Sequence, residues 1–378
     1  MRRHTRILFA LFCLAALSGS SPACTQGSEG VLRQIDTLAA ADERGPIELI
    51  KSVVYGIEEK PGALAPSLLS RVARPGLTEK QRAVYVWALG LTRDPAGSEP
   101  LFELYRTSSS PLVRKNCLEA LANIGEPKAG PVLLGALDGS TDRPMRFGIM
   151  ALLGRMQYEP ALPRTEELLR QDWKTCYWWC KFVFGQYGDQ AVPFLVPKIT
   201  DPDRNVRMNT IFVLGGWLLA PEAVDPLEWA YWKEADPSIR GAILSALEHT
   251  TSDLSRIRQH FEGVVARELD SDVLKFARET LDSLETIRAE IVAHAKQKSV
   301  SADAFTRAWT ELYKSSGREG DYETLAKASG LADEPKLKGL RARILHRNSD
   351  EAWYDYQKVN RIIILNRHAA LLEKQGMP

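Results

Sequence analysis

Cys176 and Cys180 stand four residues apart, a spacing that puts two thiols on one face if the segment is helical. Such a pair is half of a metal site, a redox couple, or two small apolar groups destined for a core. No Cys-x-x-Cys and no histidine at ligand spacing accompanies it, so the structural role is the expectation and no metal site is assigned. A disulfide within one helical turn is geometrically poor. The six histidines, His4, His249, His260, His294, His346 and His368, are scattered. No His-Glu-x-x-His, Ser/His/Asp arrangement or glycine-rich phosphate loop appears. No catalytic residue is therefore assigned, and no cofactor is expected.

A second set with chemical potential is the series Arg82, Arg114, Arg146, Arg207 and Arg240. Read as a free row it would be an anion-binding ladder. Its spacing says more: successive steps of 32 residues from Arg82 to Arg146, and 33 from Arg207 to Arg240. Around each arginine the same beats return, as in Val113-Arg114, Ala120-Leu121, Gly125, Pro127 and Val132-Leu133-Leu134. A period of this length means stacked supersecondary units, each unable to bury its apolar face alone. Turn signals fall between the beats at Arg93-Asp94-Pro95, Gly125-Glu126-Pro127, Asp201-Pro202-Asp203 and Asp236-Pro237. No alternating strand pattern competes.

The units resemble HEAT repeats, in particular the short variety of phycobilisome-lyase-like proteins. The residues that carry the likeness are the Asp-Pro, Val-Arg, Ala-Leu, Gly and Ala-Val-Pro-Leu elements, clearest in 111–137 and 185–227. The resemblance covers about two thirds of the chain and implies an all-α fold: a right-handed α-solenoid of about seven to eight helix pairs with a helical C-terminal cap. It also implies that the arginines bond to acids such as Asp142, Asp203 and Asp236, four residues before them, and to neighbouring repeats. The unit at 173–200 departs from the pattern, with Cys176-Tyr177 in place of an apolar residue and Arg.

Aligning each second helix on its Val-Arg pair predicts which positions face the inner wall: one, two and five places after the Arg. In one unit these are Lys115, Asn116 and Glu119, an ordinary solvated set. Elsewhere they bring aromatic and apolar residues: Trp87, Phe147, then Trp178, Trp179 and Phe182, then Met208 and Phe212. An exposed apolar stripe marks an interaction site, and Trp dominates interface energies. Packing between repeats is the competing reading. Trp229, Tyr231 and Trp232 fall on a first helix and are expected in the core.

The N-terminus carries an export signal. Arg2, Arg3, His4 and Arg6 precede an apolar run over Ile7–Leu17, followed by small residues to Ala23 and then Cys24. Cleavage after Ala23 leaves either a soluble exported protein or a bacterial lipoprotein with Cys24 lipidated. The expected divisions are a signal peptide over 1–23, a polar tether with a short helix over 24–45, repeats over 46–298, and a helical region over 299–378. In that last region Asn348-Ser349-Asp350-Glu351 reads as a helix start, and Ile362–Leu365 as a buried stripe or a partner-binding strip. The whole chain has net charge +1 from 49 basic and 48 acidic residues. Loss of Arg2, Arg3 and Arg6 leaves 46 against 48, a net of −2. That balance offers no footprint for nucleic acid and no basic face for anionic lipid.

The leading functional expectation is a non-catalytic exported scaffold that binds a protein or peptide partner along the inner face, in the periplasm or outer envelope. It touches a membrane only through a lipidated Cys24. A structural component of an envelope assembly is one alternative, and a lyase-type enzyme, by family analogy, the other.

Overall fold

A computed structural model describes residues 27–41, 46–59, 61–297, 304–308, 312, 319–345 and 350–376. The signal segment and Cys24 lie outside the described residues. Among those described, the chain is helical with no strand, as the 32-residue period predicts. Its helices form two compact units divided between Ala161 and Leu162, inside the stretch expected to be one array.

The first unit runs through α1 (Ser28–Ala40), α2 (Ile47–Glu59), α3 (Pro61–Val72), α4 (Glu79–Thr92), α5 (Ser98–Thr107), α6 (Pro111–Ile124), α7 (Ala129–Asp138) and α8 (Arg143–Arg155). The helix α1 is more than the short helix of a tether. It buries Leu32 and Ile35, and its Asp36 accepts from the Arg71 guanidinium at 2.9 and 3.0 Å and from the Tyr85 hydroxyl at 3.0 Å. Those bonds, led by Arg71, hold the Asp36 carboxyl below its ordinary range.

The second unit opens with α9 (Leu162–Thr165), α10 (Trp173–Tyr187) and α11 (Val192–Leu195). Next comes α12 (Arg204–Ile211), which passes without a break into a π-helical turn over Phe212–Leu218. Then follow α13 (Val224–Tyr231), α14 (Pro237–Thr250), α15 (Leu254–Val265) and α16 (Ser271–Gln297). The C-terminal helices α17 (Glu319–Ala328), α18 (Glu334–Leu345) and α19 (Asp350–Lys374) belong to this unit as well. The first helices here are short because Pro163, Pro193 and Pro197 lack the amide that a continuous ladder needs, and 3-10 turns flank them.

Local chemistry sets the pairing. Side chains of Ser110, Asp236 and Asp253 accept backbone amides at the starts of α6, α14 and α15. Pro111 and Pro237 occupy first helical positions, where no amide bond is lost. Second helices of successive repeats then pack closely through small residues. A Cβ on Gly90 of α4 would lie 2.5 Å from the Ala120 Cα of α6, and one on Gly215 would lie 2.5 Å from the Ala246 Cα of α14. Only glycine permits either approach.

The arginine series is structural in the second unit. Arg207 pairs with Glu234 at 2.7 Å and bonds the carbonyls of Asp201 and Pro202. Arg240 repeats the device with Glu268 at 2.7 Å and the carbonyls of Glu234 and Ala235. In the first unit Arg82 likewise bonds the carbonyls of Val72 and Arg74. The acids four residues earlier do different work: Asp203 and Asp236 cap their helices through the amides of Asn205 and Ser238. The arginine partners are glutamates about one repeat downstream.

Candidate functional site

A cluster of aromatic residues in the second unit gathers on α10 and at Phe212, where α12 passes into the π turn. Trp178 stands 54% exposed. Tyr177 meets it edge-on with ring centroids 5.8 Å apart, and Phe212 lies 5.2 Å from Tyr177 and stacks on Trp173 at 5.7 Å. Trp179 and Phe182, half-buried, form a T-shaped pair at 6.5 Å. Five rings of the predicted set thus carry some exposure: Trp87 in the first unit, and Trp178, Trp179, Phe182 and Phe212 in the second. Phe147 and Met208 do not. Both are buried, with the Arg143 guanidinium 5.3 Å from the Phe147 ring centroid. Each stands one place after its arginine, and one residue turns a helix by about 100°, so this position faces the packing side in both repeats.

Behind the patch lies a group that the positional map missed. Lys181 is 2% exposed, on the far side of Trp178 from solvent. Its ammonium group sits 3.9 Å from the Trp178 ring centroid, 4.3 Å from Tyr177 and 5.0 Å from Trp217. Burial pulls this amine down to about 7, since desolvation penalises the charged form. The ring faces offset part of that penalty through their quadrupoles. Cys176 and Cys180 lie on the opposite, buried side of α10 with sulfurs 3.6 Å apart. No group of three or more ligand side chains suited to a metal occurs among the described residues.

Trp217 belongs to the π turn, and a Cβ on Gly185 would fall onto its indole. Its other face is covered by Tyr356 of α19, stacked at 4.1 Å with 14° between planes. This contact shows where the C-terminal helix goes. Rather than only closing an end, α19 lies along the second helices of its own unit. The Tyr356 hydroxyl donates to the Trp217 carbonyl at 2.9 Å or the Gly216 carbonyl at 3.2 Å, and the Asn360 amide reaches Gly216 at 3.3 Å. Arg367 donates to the Leu219 carbonyl at 2.6 Å and holds Glu334 of α18 at 2.9 Å. The end of the π turn leaves its last carbonyls without helical donors, and α19 supplies donors to three of them, at Gly216, Trp217 and Leu219. Val359 and Ile362–Leu365 are buried. Four successive apolar residues cover every side of one helical turn, so that turn must be buried, which is the signal in the sequence that could have placed it.

The Trp229 and Trp232 rings depart from expectation. Both are substantially exposed, at 53% and 45%, whereas Tyr231 between them is buried. Tyr231 takes the inward position of the last turn of α13, and its neighbours at 229 and 232, three apart, share the outer side.

Two comparisons bear on this arrangement. The family described as HEAT repeats matches residues 66–154, in the first unit. The solved complex of CpcE and CpcF of phycocyanin lyase from Nostoc sp. is similar in structure at a TM-score of 0.33 and 18% identity, covering 71% of this chain and 100% of that chain. No curated protein matches the chain. Residues 66–154 match the HEAT-repeat family, and the described residues of the chain fold as helices with no strand.

Proposed function

We propose that this protein is a non-catalytic scaffold, exported from the cell, that binds a helical or extended segment of a partner protein on the second-helix face of its second unit. The observation that carries the reading is the open aromatic patch around Trp178, next to a stretch of the same face that already holds a helix. Tyr356 of α19 stacks on Trp217, Trp217 borders Lys181, and Lys181 borders Trp178. Burying one large ring is worth about 2–3 kcal/mol. Trp178 with Trp179 and Phe182 therefore supports binding in the micromolar range. Trp87 of the first unit is assigned to the same class of contact, and Phe147 and Met208 to packing.

The test is comparative capture from an envelope extract with the wild-type protein and a Trp178→Ala/Trp179→Ala variant. A partner retained by the wild type and lost by the variant, with an unchanged melting temperature, supports the reading. A variant that melts several degrees earlier assigns these rings to the core and ends it. Export and lipidation of Cys24 are proposed on the order of basic, apolar and small residues ahead of it. Intact mass of the protein from cells reads both: an N-terminus at Met1 refutes export, and an unmodified Cys24 refutes the anchor.

A further inference from the structure

Away from that face, the outer corner of the second unit where α13 ends and α15 turns into α16 carries three large apolar groups in solvent. Trp229 and Trp232 lie one helical turn apart, 53% and 45% exposed, and Leu269 is 95% exposed. Arg267, two residues before Leu269, has its guanidinium 5.2 Å from the Trp232 ring centroid. The corner is rigidly built. Glu268 accepts from the Tyr231 hydroxyl at 2.6 Å, from Arg240 at 2.7 and 2.9 Å, and from the backbone amides of Leu269 and Asp270, each at 2.9 Å. Leu269 is thus held outward by its own turn.

The charges set directly against these rings are cations. Asp225 and Glu228 are tied to Arg256, Glu234 to Arg207, and Glu268 to Arg240. Lys233 instead has its ammonium 3.8 Å from the Trp229 ring centroid, and Arg267 covers Trp232. Glu262, exposed on α15, and Asp270 and Asp272 beside Leu269 are the nearby acids outside those pairs. Indole rings with an apolar body and a polar edge, each beside a cation on a flexible stem, are the chemistry that settles at the boundary between lipid headgroups and acyl chains. A protruding leucine adds an apolar tip.

We infer that the Trp229, Trp232 and Leu269 corner is a membrane-contacting surface that inserts its rings into the headgroup region of a phospholipid bilayer. The near-neutral charge of the chain makes ring insertion, rather than electrostatic attraction, the main source of binding. Salt therefore weakens it little.

The experiment uses the chain without residues 1–23 and with Cys24→Ser, so that neither leader nor lipid contributes. Flotation with vesicles of phosphatidylethanolamine and phosphatidylglycerol measures partitioning. The wild-type surface is expected to float, to retain most binding in about 0.5 M salt, and to lose about tenfold in a Trp229→Ala/Trp232→Ala variant of unchanged melting temperature. A Leu269→Ser variant, altering a residue that is almost wholly in solvent, serves where the double variant is unstable and is expected to weaken flotation. Trp178→Ala/Trp179→Ala floats as the wild type does, which separates this surface from the proposed partner site. Absence of flotation, flotation indifferent to both corner variants, or dependence on Trp178 and Trp179 would overturn the inference. So would a ring-dependent dimer in sedimentation velocity without vesicles, which would make a second copy the occupant.

Discussion

Replacing Tyr356 by Phe isolates one hydroxyl in the contact between α19 and the π turn. The stack on Trp217 is kept, and with it the ring area buried between the two helices. What disappears is the donor to the Trp217 carbonyl at 2.9 Å and the Gly216 carbonyl at 3.2 Å. Gly216 keeps the Asn360 amide at 3.3 Å, so the loss falls on Trp217. A buried carbonyl stripped of its partner costs about 1–3 kcal/mol. At about 2 kcal/mol, and about 2–4 °C per kcal/mol for a unit of this size, the second unit should melt about 4–8 °C earlier. Hydrogen exchange read by peptide mass localises the effect. Protection should fall over Phe212–Leu219 and Asp350–Lys374 and hold over the peptides of α4 and α6. Tyr356→Ala, which also removes the ring, should cost about 3–5 kcal/mol. A Phe variant that melts within about 1 °C of wild type while the Ala variant collapses would show that area alone holds α19, and the account of the π carbonyls would fail.

Two pH dependences follow from named groups. The Arg240 bonds, with those of Tyr231 and the Asp270 amide, hold Glu268 at about 2 against burial. Its contribution to stability is therefore full above about pH 4.5 and lost as pH falls toward 2. Acid titration of Glu268→Gln should lack that component, and an unchanged acid midpoint would contradict the assignment. Lys181 titrates at about 7 when folded and near 10.5 when unfolded, so the unfolded chain binds more protons across that window and stability rises with pH from 7 to 10.5. Lys181→Met should flatten this rise in melting temperature and be more stable than wild type at pH 6; a retained slope would assign it to another group.

Most of the fold is legible because repeats are periodic. The Val-Arg pairs mark the second helices, and the Asp-Pro turns mark where each begins. Which side chains face inward depends on rotation about a helix, where one residue is about 100°. Phe147, Met208 and Trp178 share one place in the alignment, yet the first two are buried and Trp178, in the unit where Tyr177 replaces the arginine, is exposed. Trp229 and Trp232 were assigned inward with Tyr231 because all three lie on a first helix, yet only one of three such neighbours can face the core. The π turn has no sequence rule behind it; Gly215-Gly216 before Trp217 is the sole local hint. The place of α19 was legible in part, in the apolar turn Ile362–Leu365, but which groove it fills is a long-range fact. Asn360 and Arg367 look like ordinary surface residues until the carbonyls they serve are known.

The reach of α19 has a consequence for how the chain is made. In the first unit, polar contacts join residues close in sequence, as with Arg71 and Asp36 at 35 apart or Tyr85 and Asp36 at 49. Such a unit can consolidate while later residues are still being synthesised. The second unit depends on contacts such as Tyr356 with Trp217 at 139 apart, Arg367 with Leu219 at 148, and Lys338 with Asp189 at 149. Its π carbonyls and the inner side of Trp217 wait unpaired until the final helix emerges. Between those two moments the half-built unit shows an apolar trough to its surroundings, and a chaperone that holds nascent chains would find its substrate there. Truncations that stop short of Tyr356 should accordingly leave the first unit folded and turn the second into the segment that proteases and aggregation reach first.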